Sequence, residues 1–129
     1  RPDLFKAGKS KYDGESLKKL LTDESRLIFV AADENDRVLG YIFCIIIDHS
    51  ADSARCPNTE LYIDDLCVDE KFRREGIGDA LFQKALSTAQ ELGCHNLTLN
   101  VWEGNDSALR FYEEHGMKIQ KRELEIVLD

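Results

Sequence analysis

The stretch LYIDDLCVDEKFRREGIGDAL at residues 61–81 constrains this chain more than any other part of it. It opens as a strand, passes through a basic, glycine-containing turn and ends as the start of a helix. The turn reads Arg73-x-x-Gly76-x-Gly78. A strand that feeds a helix through such a turn can hold a pyrophosphate. The first N–H groups of a helix have no internal partner, and the helix dipole adds partial positive charge there. Glycines let an anion approach the backbone with no side chain in the way. Lys71, Arg73 and Arg74 stand just ahead of the helix, where cations are normally unfavourable. A bound anion reverses that sign. The alternative is a solvated basic turn, with Glu75 and Asp79 as ordinary first-turn acids.

At 129 residues the chain suits a single domain, 1–129, with a real core. Its net charge of −8 argues against a nucleic-acid surface. The same charge favours cationic partners such as an amine through steering, although solubility alone accounts for it equally well. No apolar run reaches transmembrane length; the longest, 41–47, suits a buried strand, so no membrane partner is expected. Cys44, Cys56, Cys67 and Cys94 form no C-x-x-C pair, and His49, His95 and His115 are scattered, so no metal site is predicted. Cys44 and Cys67 fall inside apolar strands and read as small packing hydrophobes. All four thiols are expected reduced, in a cytoplasmic setting. No signal peptide is visible ahead of these elements.

Along the chain, 1–12 is polar and loop-like. Residues 13–22 suggest a helix with Leu17, Leu20 and Leu21 on one side and Asp13 as cap. Strands are predicted at 27–32 and 38–47, joined as an antiparallel hairpin by the 33–36 turn cluster. A loop follows at 49–58 and a third strand at 60–68. A helix spans 75–92, with Ile77, Ala80, Leu81, Lys84, Ala85, Ala89 and Leu92 as its mostly apolar stripe and Gly93 after it. A strand at 96–102, a helix at 105–115 closed by Gly116, and an alternating strand at 122–128 complete the order. The fold class is α/β with a mixed sheet. The segment 60–102 is a right-handed crossover between parallel strands.

Two motifs in this order carry a resemblance. Val68 followed by Arg73-Arg-Glu-Gly76-Ile-Gly78 is similar to the acyl-CoA signature of the GNAT superfamily of N-acetyltransferases. Asn105-Asp-Ser-Ala108-Leu-Arg-Phe111-Tyr112-Glu-Glu-His-Gly116 resembles that family's second signature. The match runs from about residue 27 onward, and the family's usual first strand and helix are expected to be truncated or absent. The resemblance implies a central strand that splays from its parallel neighbour at a bulge, opening a V-shaped cleft. It implies that the backbone of Leu66, Cys67 and Val68 pairs with the pantetheine arm of acetyl-CoA like an added strand. Arg73 opens the turn, and the amides of Arg74, Glu75, Gly76, Ile77, Gly78 and Asp79 cradle the pyrophosphate. Asn105 hydrogen-bonds the pantetheine, a role compatible with a plain helix N-cap.

The resemblance also places Tyr112 where the family holds the acid that protonates the departing thiolate; without it, Tyr112 reads as a core tyrosine. Attack by an amine needs a base or an ordered water. Tyr62-Ile-Asp64-Asp65-Leu resembles a diamine-acetyltransferase stretch in which a Glu at the Asp64 position is the base; here the side chain is one methylene shorter, and water can bridge. Glu60, Asp64 and Asp65 are the candidate bases, and binding a cationic acceptor is an equal reading for them, with strand capping as the plain alternative; Trp102 reads as lining the acceptor pocket or as packing. Period-two alternation puts Asp64 on the face of Tyr62 and Asp65 on the other. The ribosomal-protein acetyltransferases carry a Glu where this chain has Asn100, so that peptide N-terminus mechanism is disfavoured. Cys67 is expected to be buried rather than a covalent nucleophile.

The expected activity is transfer of acetyl from acetyl-CoA, with CoA as product, to a small cationic amine or a peptide or protein amine. The alternatives are a non-catalytic acyl-CoA-binding regulatory module of the same fold and an unrelated anion-binding α/β domain. The resemblance implies frequent homodimers, for which 122–128 offers a pairing edge.

Overall fold

Two neighbouring strands form the frame of the molecule, because they carry its densest run of β-branched and aromatic residues. The first, Arg26–Ala32, pairs antiparallel with Val38–Asp48. Asp33 builds the turn between them: its Oδ1 accepts from the amides of Asn35 and Arg37, each at 2.9 Å. The computed structural model describes residues 5–6, 25–49 and 59–128. In chain order its strands are β1 (Phe5–Lys6), β2 (Arg26–Ala32), β3 (Val38–Asp48), β4 (Thr59–Val68) and β5 (Asn96–Leu99), and its α-helices are α1 (Ile77–Glu91) and α2 (Asp106–Glu114). The predicted helix at 13–22, Cys56 and most of the 49–58 loop lie outside the described residues.

The sheet runs β1-β2-β3-β4-β5. Its first three pairings are antiparallel and β4–β5 is parallel, as the intervening helix α1 requires. The α/β mixed-sheet expectation therefore holds. The 1–12 segment is more than a loop, since Phe5 and Lys6 pair with Ala31 and Val30.

Helix α1 packs Ile77, Leu81, Phe82, Ala85 and Ala89 against the sheet. They meet Ile42, Cys44, Leu61 and Ile63, and Phe111, Tyr112 and Met117 close over the same cluster. Phe82, absent from the predicted stripe, is among the largest fully buried side chains, whereas Leu92, within that stripe, is half exposed. Ile28, Val30 and Phe43 form a second buried cluster, with Tyr41 packed against it.

The predicted strand at 122–128 does not form. This segment has no strand pairing, and Leu124, Ile126, Val127 and Leu128 are exposed. Alternation alone makes no strand: the backbone needs a hydrogen-bonding neighbour, and no described strand lies beside it. The strand predicted at 96–102 likewise ends at Leu99, where its pairing with β4 stops.

Candidate active site

The site begins where β4 and β5 part. They pair in register from Glu60 with Asn96 to Ile63 with Leu99, and no further. The β3–β4 register shifts at the same level, with Phe43 opposite Asp65 and Cys44 opposite Ile63. Asp64 is thus the extra residue of a β-bulge, which bends the strand and ends its pairing with β5. From Asp64 to Val68, no described strand pairs with β4 on the β5 side, so its backbone groups there face an opening.

The bulge overturns the simple alternation. Paired residues of adjacent strands share a face. Ile63 lies opposite Cys44 and Leu66 opposite Ile42, both in the α1-side core. Tyr62 lies opposite Ile45 and Asp65 opposite Phe43, on the other side. Asp65 therefore shares the face of Tyr62, because one inserted residue reverses the parity beyond it. Asp64 itself is exposed on the bulge. Cys67, expected to be buried, is exposed for the same reason, while Leu66 and Val68 pack on the core.

Beyond β4, Asp69 caps a single 3-10 turn, Glu70–Phe72, by accepting from the Lys71 amide at 3.0 Å. The chain then turns sharply through Arg74 at φ 71° and Gly76 at φ 80°. A positive φ costs a non-glycine residue such as Arg74. Gly76 is the N-cap of α1 and gives the helix no side-chain cap, so no capping side chain covers the first amides at Ile77, Gly78 and Asp79. Arg73, Arg74 and Glu75 are exposed around them. Gly78 sits against Phe111, so the turn and α2 touch.

Helix α2 starts at Asn105, whose Oδ1 accepts from the Ala108 amide at 3.3 Å. The helix-cap reading of Asn105 is realised, and the cap uses only its side-chain oxygen. Tyr112 lies half-buried in the same helix, with its ring 6.1 Å from that of Phe82 and 5.2 Å from that of Phe111. Burial raises its pKa above the ordinary tyrosine value, and the charge of Asp65 raises it further. Tyr112 on α2 and Asp65 on β4 thus feel each other across the opening. The Tyr41 hydroxyl on β3 donates to Asp65 Oδ2 at 2.8 Å.

The remaining candidates lie apart from this group. Glu60 is buried where β4 and β5 are still paired; its Oε1 meets His49 Nε2, and its Oε2 accepts from Thr98 Oγ1 at 2.5 Å. Trp102, just past β5, is 89% exposed, so it does not serve as packing. Asn100 donates to the Tyr62 hydroxyl at 3.1 Å. Among the described residues no cluster of His, Cys, Asp and Glu could hold a metal ion, and no helix is long and apolar enough to cross a membrane.

Two residues that shape the site escaped sequence reasoning. Tyr41 reads as one more aromatic in an apolar strand, and its bond to Asp65 spans 24 positions. Gly40 had a legible signal, since a glycine inside a strand marks a close backbone approach. A Cβ there would lie 2.7 Å from the Cys67 carbonyl oxygen, so Gly40 lets β3 lie tight against the end of β4.

The architecture is a mixed sheet whose parallel pair opens at a bulge, above a tight turn into a helix with no side-chain cap. The chain belongs to the acetyltransferase (GNAT) family, whose model matches residues 2–117. Among its relatives, N-alpha-acetyltransferase 30 of Schizosaccharomyces pombe is 32% identical over 73% of this chain and 59% of that protein. The peptidyl-lysine N-acetyltransferase YjaB of Escherichia coli is 30% identical over 74% of this chain and 52% of that protein. The chain thus spans little more than half the length of either relative. An aminoglycoside acetyltransferase from an uncultured soil metagenomic sample, meta-AAC0020, solved in complex with trehalose, has a TM-score of 0.76 at 25% identity; the match covers 95% of this chain and 77% of that one.

Proposed function

We propose that this chain is an N-acetyltransferase that moves an acetyl group from acetyl-CoA to a primary amine by direct attack. The observation that carries the reading is the end of β4–β5 pairing at the Asp64 bulge, beside a helix N-terminus with no side-chain cap. The residues fit the donor. The open β4 edge at Leu66, Cys67 and Val68 can pair with an extended amide-bearing arm. The amides from Arg74 to Asp79 suit a pyrophosphate. The Asn105 NH2 can donate to the same arm.

Acetyl-CoA supplies the thioester carbonyl: the amine nitrogen bonds to it, the carbon–sulfur bond breaks, and CoA leaves. Tyr112 gives the departing sulfur its proton; a tyrosine is protonated at neutral pH, and burial and the Asp65 charge favour the phenol further. Asp65 draws the acceptor ammonium into the opening; of the two protons that the nitrogen loses on becoming an amide, one passes to solvent before attack and Asp65 receives the other, while Tyr112 regains its proton from solvent. Asp65 takes both duties because its charge reaches Tyr112 and Tyr41 holds it in place, whereas Asp64 lies exposed on the bulge. Holding the amine and the thioester together in the opening supplies much of the rate enhancement through proximity.

The relatives are named for N-alpha, peptidyl-lysine and aminoglycoside acetylation, and what those names share is an amine acceptor. A cationic amine is the acceptor class that suits Asp65 and the net charge of −8. Calorimetric titration with acetyl-CoA tests the donor, and CoA thiol release with polyamines, aminoglycosides and lysine peptides tests the reaction. Saturable binding with amine-dependent thiol release is expected. Tight binding without release for any amine would replace the enzyme by an acyl-CoA-sensing module. No binding by the folded chain would overturn the donor assignment.

A further inference from the structure

His115 ends α2, and its ring is held at both nitrogens. Nδ1 lies 2.7 Å from the Phe111 carbonyl oxygen and Nε2 lies 2.6 Å from Asp79 Oδ1. A carbonyl oxygen and an ionised carboxylate only accept, so with Asp79 ionised this geometry calls for a proton on each ring nitrogen, the imidazolium form. Its surroundings suit a cation. It sits at the negative end of the α2 dipole. Its ring centroid lies 4.3 Å from that of Phe111 and 4.9 Å from that of Phe82, tilted by 32° and 58°. The charged groups that act on it are Asp79 from α1 and Glu114 from its own helix, both negative.

Asp79 lies in the first turn of α1, among the amides assigned above to the pyrophosphate. Its negative charge favours the positive end of the helix dipole and opposes a second anion there. The bond to His115 answers that conflict and connects two elements that are 36 positions apart. We infer that His115 is a positioning residue for the acyl-CoA: its imidazolium neutralises Asp79 beside the pyrophosphate turn and ties that turn to the helix carrying Asn105 and Tyr112. This rests on the acyl-CoA reading of the turn. Acetyl-CoA affinity then falls as pH rises and the ring loses its proton. By reciprocity, bound acetyl-CoA makes that proton harder to remove.

Two measurements test this. Ring-nitrogen NMR of the free protein reads the tie without the ligand. Two protonated ring nitrogens are expected at pH 7, with a titration midpoint above the ordinary value of about 6.5. A neutral single tautomer at pH 7 would overturn the tie. Calorimetry with acetyl-CoA between pH 6 and pH 9 reads the consequence. Wild type is expected to weaken with rising pH on the order of two- to fivefold, the span of a charge at a helix terminus. His115→Gln should be flat at the weak level, and His115→Gln with Asp79→Asn should be flat near the tight level. This recovery separates neutralisation from simple loss of structure, and thermal unfolding checks that both variants fold. An affinity in His115→Gln equal to wild type at every pH would overturn the inference. Failure of the wild type to bind acetyl-CoA, with the ring titrating as expected, would overturn the donor site and the affinity effect and leave the tie standing.

Discussion

The Tyr41 hydroxyl donates to Asp65 Oδ2 at 2.8 Å, joining β3 to β4 just beyond the bulge. The bond holds one half-buried carboxylate at the splay, where its charge reaches Tyr112. Tyr41→Phe should keep the carboxylate and loosen its placement. The expected result is a rise in KM for the amine of about tenfold, the scale of one hydrogen bond to a charged group, with acetyl-CoA affinity unchanged. Asp65→Asn should lower kcat/KM further, and Asp64→Asn should change it little. Steady-state kinetics decide: a larger loss in Asp64→Asn would return the base to that residue.

Tyr112→Phe should reduce kcat on the order of 100-fold, the lower range for a positioned general acid. Acetyl-CoA affinity should hold, because the ring keeps its packing against Phe82 and Phe111. Burial and then Asp65 raise the Tyr112 pKa, so the alkaline fall in kcat should lie above the ordinary tyrosine value of about 10. Equal turnover in mutant and wild type would remove Tyr112 from the mechanism.

Gly40→Ala places a methyl 2.7 Å from the Cys67 carbonyl oxygen and 3.3 Å from Ile77 Cγ2. Backbone cannot yield as a flexible side chain does, so β3 and β4 must move apart at the end that borders the turn. Overpacking of this kind costs about 1–3 kcal/mol. Chemical denaturation should show that loss. Unchanged stability would mean the strands can separate freely there.

The titration of His115 also predicts a stability profile. Burial lowers its pKa, but the bond to the Phe111 carbonyl, the bond to Asp79 and the charges of Asp79 and Glu114 together raise it. A raised folded-state pKa stabilises fully below the unfolded value of about 6.5, and the gain is lost as pH rises through the folded value. The melting temperature should therefore decline above neutrality by more in wild type than in His115→Gln. Parallel profiles would show that the group does not titrate between folded and unfolded states differently.

Thiol labelling should separate two strand cysteines. Cys44 is fully buried, and burial pushes its thiol up to about 12, so a thiol reagent should leave it unmodified in the native protein. Cys67 is exposed on the open β4 edge and should react. Acetyl-CoA should protect Cys67 if the pantetheine arm lies along that edge. Mass spectrometry with and without the ligand reads both, and labelling of Cys67 at the same rate in each would move the arm elsewhere.

The core shows where sequence pattern suffices and where it stops. Ile77, Leu81, Ala85 and Ala89 were legible from the 3.6-residue period, and all are buried. Phe82 was not, because its burial depends on Phe111 and Tyr112 folding over α1 from another helix. On β4 the period-two pattern held up to Ile63 and misassigned the face of Asp65, since a bulge is a property of two strands in register.

Local order was written in the chain itself. The hairpin turn at Asp33, the turn closed by Gly76, the Asn105 cap and the element order from β2 to α2 depend on residues within a few positions of one another, where backbone preferences and capping bonds act. Tertiary structure alone decided that the Asp65 charge acts on Tyr112, that Cys67 is exposed, that the His115 ring lies against Asp79, and that 122–128 stays unpaired. Those outcomes follow from contacts such as Tyr41 with Asp65 and Asp79 with His115, 24 and 36 positions apart. A local pattern carries no record of such contacts, because their geometry exists only once strands and helices have packed.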